Sequence, residues 1–236
     1  EVSAFYPVGN LYLGIVVPGS SEARTPEDLK GRKVGHFGAD SGTTAFIRLI
    51  VQEIYGFDVL EDYEMSQVGP GALVQLLAQG EVEAIFNFEG FVSEAMVATG
   101  GRYLLQAHAD YAKHNSGFAP WITNMVAHEE WMQANPALAY AVRDAYDEAI
   151  RLLEDSNYEI LRKPYIAEAL GMTDPAVLGQ MIENGNTYGY FTNDWSEEKR
   201  TAALEFLGKL AKEGSVIEEV PEGTLISLED TIGPRP

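Results

Sequence analysis

The chain has 236 residues, no cysteine, and 36 acidic against 16 basic side chains, for a formal net charge of −20 at pH 7. That charge repels phosphates with no basic patch to offset it, which excludes nucleic acid as a partner, and the lack of cysteine excludes disulfides, thiolate metal sites and a cysteine nucleophile. With 46% hydrophobic residues the chain can form one large domain or two small lobes, and no run approaches the roughly 20 apolar residues of a membrane span, so no direct membrane insertion is expected.

Residues 1–18 carry neither a basic leader segment nor a cleavage site, so a signal peptide is expected to be either already removed or never present. The run LYLGIVVP (11–18) is short, β-branched and stopped by Pro18, the pattern of a buried strand. TPEDLKG (25–31) predicts one acidic helical turn, with Thr25 as cap, Pro26 at the first position and Gly31 as stop. RKVGHF (32–37) reads as a strand, and 43–55 as an amphipathic helix with Phe46, Ile47, Ile50, Val51 and Ile54 on one face. The alternation continues with a strand at 63–68, a helix at 71–79, a strand at 82–88, a helix at 90–99 and a strand at 102–108. Strand–helix alternation with short links predicts an α/β fold with a parallel sheet covered on both faces. ADYAKHNSGFAP (109–120) reads as a polar link, and WITNMVAH (121–128) as one more strand. Helices are expected over EEWMQANP, at 136–155, near 157–170 and 174–184, and at 196–213, where Ser196 caps and Gly214 stops. The acidic, turn-rich tail is expected to lie across the surface. Residues 19–119 then form an α/β lobe two, while 1–18 and 120–236 build the remainder of lobe one with the C-terminal helices. Two connections between lobes make a hinge, and the gap between them is a common ligand site.

The turn between the strand at 32–37 and its helix is the richest stretch. Gly38-Ala39-Asp40-Ser41-Gly42-Thr43-Thr44 places hydroxyls and an approachable glycine where a helix begins. The first backbone N–H groups of a helix lack partners, so they can be capped by Ser41 or can hold a ligand's oxygen. Open α/β sheets bind ligands at the carboxyl ends of their strands, the edge where this turn falls. Gly69-Pro70-Gly71 stands at the next strand-to-helix turn on the same edge and can supply further N–H donors. Neither is a nucleotide loop, because the Gly-Lys-Ser/Thr ending is missing. In FNFEG (86–90), Asn87 and Glu89 alternate with Phe86 and Phe88 and so share one direction. Glu89 is either a helix-start carboxylate or an acceptor for a ligand's amine, amide or ring N–H. His36, His108, His114 and His128 make no metal spacing, no Gly-x-Ser-x-Gly elbow supports a His36–Asp40–Ser41 triad, and no cofactor is expected.

TPEDLKGRKVGHFGADSGTTAFI, then VGPGALVQLLAQGEVEAIFNFEGFVSEAMVATGG, then NMVAHEEWMQANPALAYAVRDAYDEAI together resemble the type II periplasmic solute-binding proteins of ATP-binding-cassette importers. The group is that for nitrate, sulfonates, taurine and thiamine-pyrimidine precursors. The resemblance covers roughly residues 11–155 and implies a two-lobed architecture with a hinge. In that family some 80–90 residues precede this point, so the first part of lobe one is expected to be absent from this sequence. The resemblance implies a non-enzymatic, periplasmic or extracellular membrane-associated receptor that closes on a small-molecule ligand and presents it to a membrane permease. The implied ligand-binding set is Asp40, Ser41, Gly42, Thr43, Thr44, Gly69, Gly71, Asn87 and Glu89, with Tyr6, Asn10 and Trp121 from the hinge strands, on which Thr123 and Asn124 also lie; each hinge residue can equally be core. Carboxylates beside the N–H clusters point away from bare nitrate and toward a small organic solute. The alternative is a cleft enzyme on the same fold, of the pyrimidine-synthesis or desulfination type; such enzymes need a reactive Cys or His, and His36 is the histidine near the proposed site.

Overall fold

The structure, a computed structural model, describes residues 1–213 and 217–235. Two sheets organise it. Strands β1 (Val2–Asn10) and β7 (Trp121–His128) pair as an antiparallel ribbon. Between them in sequence lie β2 (Leu13–Val17), β3 (Lys33–His36), β4 (Glu64–Gln67), β5 (Ala84–Phe88) and β6 (Arg102–Gln106), which form one sheet in the order β4-β3-β5-β2-β6. The chain crosses between ribbon and sheet at residues 11–12 and again at 115–120, as a hinge requires.

The sheet corrects two expectations. The strand assigned to residues 1–18 of lobe one sits inside the sheet built by 33–106, between β5 and β6, with Gly14 opposite both Asn87 and Gln106. Every residue of β2 is buried, so its apolar run is satisfied only between two neighbours and two helical layers. Because β2 runs antiparallel to both neighbours, the sheet is mixed; β3, β4 and β5 are parallel.

Helices cover both faces. On one lie α1 (Gly42–Tyr55), α5 (Ala107–His114) and α10 (Glu197–Glu213), whose Ile47, Ile50, Tyr111 and Phe206 join Val34, Phe86 and Leu13 in the main core. On the other, α3 (Pro70–Ala78) and α4 (Phe91–Thr99) bury Leu73, Leu77, Val92 and Met96 against Val16 and Ile85. Gly35 is needed for that contact, because a Cβ there would lie 2.6 Å from Leu73 Cδ2. A short α2 (Val59–Asp62), capped by Asp58, leads into β4.

The expected link at 109–120 begins instead with α5, started when Gln106 Oε1 accepts from the Ala109 N–H at 2.8 Å. Beyond β7 come α6 (Glu129–Ala134) and α7 (Pro136–Asp155), which enclose a second small core of Phe5, Tyr6, Met132 and Tyr140. The single helix expected near 157–170 is broken by Pro164 into a 3-10 turn at Glu159–Arg162 and α8 (Pro164–Ala169), since the residue before proline disfavours helix. Then α9 (Pro175–Tyr188) packs on α4. The tail is more than surface cover: Leu225 bridges Ala4, and α11 (Leu228–Ile232) buries Leu228 at 1% exposure. Ser196 caps α10 through the Lys199 N–H, while the expected stop at Gly214 lies outside the described residues.

Candidate functional site

Three parallel strands end side by side, and each feeds a helix. His36 of β3 is in register with Gln67 of β4, and β3 also pairs with β5, so the starts of α1, α3 and α4 share one edge of the sheet. The two turns expected to supply donors are therefore neighbours: the Val68 N–H donates to His36 O at 3.0 Å. Gly38 makes the first turn possible with φ +144°, a backbone angle that side chains rarely adopt.

At α1, Ser41 is the cap. Its Oγ accepts from the Thr44 N–H at 3.2 Å and donates to Gly38 O at 2.8 Å. Thr44 is fully buried and its hydroxyl lies 3.0 Å from Ser41 Oγ, so that side chain belongs to the cap. Thr43 is also buried, at 6% exposure. Among the described residues nothing accepts from the Gly42 and Thr43 amides. At α3 the cap residue Gly69 has no side chain and Pro70 has no N–H, and again no described group accepts from the Gly71 and Ala72 amides. Gly69, Gly71 and Ala72 are exposed, as is Asp40 beside them. A Cβ on Gly69 would meet nothing, so this edge is open to an approaching ligand.

Asn87 and Glu89 are placed differently. Asn87 is fully buried; its Nδ2 donates to Pro70 O at 3.1 Å and its Oδ1 accepts from the Phe88 N–H at 3.1 Å. It fixes the α3 start to the end of β5, with both its polar atoms engaged by the protein. Glu89 Oε1 accepts from the Gly90 N–H at 3.0 Å and from the Ser93 hydroxyl, while Oε2 accepts from Asn184 Nδ2 at 3.2 Å and Tyr103 OH at 3.4 Å. All four partners are neutral. The carboxylate raises the Tyr103 phenol, already pushed up by burial, well above its ordinary range. Glu89 thus acts at the α4 start and ties it to α9 through Asn184.

The hinge residues divide. Tyr6 is buried, with its hydroxyl donating to Asp147 Oδ1 at 2.7 Å, and its ring packs on Tyr146 and Trp195; burial, then Asp147, raises its pKa. It is part of the second core, away from the helix starts. Asn10 holds the Phe191 and Gly189 carbonyls at 3.3 and 3.4 Å. Thr123 is exposed on the ribbon. Trp121, by contrast, shares a cavity of about 70 Å3 with Phe46, Phe118, Asn124 and Phe206. Phe46 is the side chain that a Cβ on Gly42 would meet, at 3.8 Å, so this aromatic pocket adjoins the α1 start. Asn124 Oδ1 is buried and has no partner among the described residues.

His36 gives the site its other unpartnered polar atom. It is 4% exposed, and its Nδ1 has no hydrogen-bond partner among the described residues. Sequence reasoning weighed His36 as a metal ligand and as a catalytic group, and missed Asn184 and the Ala72 amide; the first has a signal in its place at the strand end, the others none. No group of three or more His, Asp or Glu among the described residues is arranged to hold a metal ion. A larger surface concavity of about 600 Å3, lined by Pro18, Asp28, Arg32 and Glu83, lies at the opposite end of the strands.

The fold recurs in proteins of known structure. The fold is similar to that of the periplasmic aliphatic sulphonate binding protein SsuA from Escherichia coli, with TM-score 0.70, 18% identity, and coverage of 98% of this chain and 73% of that one. It is similar to the alkanesulfonate-binding protein SsuA from Xanthomonas axonopodis pv. citri, solved bound to MOPS, with TM-score 0.65, 17% identity and coverage of 96% and 72%. It is also similar to the desulfurization enzyme DszB, solved as a cysteine-to-serine mutant in complex with biphenyl-2-sulfinic acid, with TM-score 0.62, 14% identity and coverage of 98% and 79%. A search of curated proteins finds no match. The architecture is therefore that of a type II periplasmic binding protein. The sequence itself matches the NMT1/THI5-like model over residues 8–155. That match runs from the end of β1 through the whole five-stranded sheet to the end of α7, more than half the chain and all three helix starts, and the chain belongs to the NMT1/THI5-like family.

Proposed function

We propose that this protein is the extracytoplasmic solute-binding receptor of an ATP-binding-cassette importer, and that it captures a small organic oxyanion, such as a sulfonate, at the α1 and α3 starts. One observation carries this reading: the Gly42, Thr43, Gly71 and Ala72 amides have no acceptor among the described residues and stand on one open sheet edge. Helix N-termini favour negative charge, by about 0.3–1 kcal/mol each at exposed sites and more when partly buried. Two such ends can hold several oxygens of one anion without a lysine or arginine. Arg48, on α1 itself, is already held by Asp58 at 2.8 Å.

The Phe46–Trp121 pocket gives the organic part of such a solute an aromatic wall next to the anion site. Trp121 belongs to the ribbon and Phe46 to the α/β unit, so a solute touching both favours the closed hinge. Affinity follows that difference between open and closed states. A membrane permease is the partner that reads the closed form, and the receptor works outside the cytoplasm beside the membrane.

Two of the structural neighbours named above bind sulfonates, which supports an oxyanion as the solute. The enzyme reading has less support. The cysteine-to-serine change in the DszB crystal draws attention to a cysteine, and this chain contains none. Native mass spectrometry of the purified protein, followed by calorimetric titration of the compound recovered, tests the proposal. An unaltered small anion that rebinds supports it; turnover of that anion, or no bound solute and no heat with any sulfonate, contradicts it.

A further inference from the structure

The chain has ten phenylalanines, of which Phe5, Phe57, Phe86, Phe118 and Phe206 are buried. Of the five left partly exposed, Phe37, Phe46, Phe88 and Phe91 stand at the strand ends or in the opening turns of α1 and α4. Three of these rings form a row. Phe37 meets Phe88 with ring centroids 5.7 Å apart at 81°, and Phe88 meets Phe91 at 5.2 Å and 86°. The row crosses the sheet edge, because Phe88 packs against the core beneath α1 while Phe37 and Phe91 pack against the core beneath α3 and α4. Phe37 directly precedes the glycine turn into α1, and Phe91 Cε1 lies 3.6 Å from where a Cβ on Gly71 would stand. An apolar floor thus runs between the two sets of unpaired amides. The core fixes one side of the row, and the side left in water is apolar surface that a bound group can cover.

Resting on the function proposed above, we infer that the solute is an aryl oxyanion: the helix starts hold its anionic head, and its aromatic ring lies on the Phe37–Phe88–Phe91 floor. Size decides where the ring goes. The Phe46–Trp121 cavity is about 70 Å3, whereas an apolar cavity of about 150 Å3 is one that takes a benzene ring. That cavity therefore admits a short alkyl tail and excludes an aryl group. The floor sets no such limit, since it lies on the open edge where a Cβ on Gly69 would meet nothing. In an aryl oxyanion the ring is joined directly to the head, so the aromatic surface must adjoin the amides, as Phe91 does at Gly71. Rings already set edge to face present both edges and faces, and a further ring can join them in an offset or edge-to-face arrangement.

Benzenesulfonate and methanesulfonate are suitable probes, because they share one head group and both stay ionised. Calorimetric titration of the full chain with each gives the ratio of their affinities, which should favour benzenesulfonate by about tenfold or more, the gain of one or two aromatic contacts. Phe37→Leu and Phe91→Leu keep apolar side chains at partly exposed positions and remove a ring; each should cut that ratio by about threefold or more. In the wild-type complex, nuclear Overhauser contacts from the ring protons of benzenesulfonate should reach Phe37, Phe88 or Phe91, a readout that needs no variant. A ratio near one, a ratio that both variants leave unchanged, or contacts to Phe46 and Trp121 instead overturns this inference and leaves the receptor reading standing. Binding of neither sulfonate overturns both.

Discussion

His108 is buried at 3% exposure where the chain crosses between its two sheets, and replacing it with alanine should loosen that crossing. Gln106 Oε1 is committed to the Ala109 N–H at 2.8 Å, which turns Gln106 Nε2 toward His108 Nδ1 at 3.0 Å. That fixes the tautomer: Nδ1 accepts, and Nε2–H donates to Tyr188 O at 2.8 Å. Leu11 O, also 3.0 Å from Nδ1, is satisfied by the Leu13 N–H. One neutral ring, lying against the 11–12 crossing, thus joins the start of α5 to the end of α9. Alanine leaves the Tyr188 carbonyl and a Gln106 N–H unpaired, at about 1–3 kcal/mol each, and opens a cavity as well. A loss of about 3 kcal/mol is expected, which moves the urea midpoint down by about 1 M if the slope is about 2.5–3 kcal/mol/M. The pH dependence has a definite sign. Burial lowers the His108 pKa, so the unfolded state takes the proton more readily. The neutral ring's stabilisation is full above the ordinary value of 6.5 and is lost as pH falls from there through the folded-state value. Wild type should therefore weaken on acidification, and His108→Ala should weaken less. A midpoint shift under about 0.3 M, or an unchanged acid response, would refute the reasoning.

Asn87→Leu removes the clamp between β5 and α3, leaving Pro70 O and the Phe88 N–H unpaired; a loss of about 2–4 kcal/mol by urea unfolding is expected, with weaker anion binding because the α3 start is released. Gly71→Val should do the reverse: a Cβ there meets only the Phe91 ring at 3.6 Å, so stability should stay within about 0.5 kcal/mol while calorimetry shows at least about a tenfold loss of anion affinity. Ser41→Ala removes the α1 cap and should cost about 1 kcal/mol in thermal or urea unfolding, with a smaller fall in affinity than Gly71→Val.

The helix starts were legible because their signals are local. Ser41 caps three residues ahead, Pro70 sits at the first helical position, and period-two alternation marks the strands between. Their common edge followed from parallel strand–helix alternation, and β3, β4 and β5 obey it. The place of β2 was not legible, since an unbroken apolar run says that a strand is buried but not between which neighbours. Helix α5 was hidden by its polar sequence and by its unusual glutamine cap. Glu89 read correctly as a polar group at a strand end, yet its partner Asn184 lies 95 residues away on α9, and no local pattern foretells that contact. Tyr6 and Trp121 look alike as hinge aromatics; only packing sends one into a core and the other to a cavity wall.

The most direct test follows backbone amides by NMR while ethanesulfonate is titrated into the 15N-labelled protein. If the unpaired N–H groups of two helix starts hold the solute's oxygens, the Gly42, Thr43, Gly71 and Ala72 resonances should shift downfield together along one saturation curve. If those four stay in place while the anion binds, or if those of α1 respond and those of α3 do not, the two-helix site is contradicted.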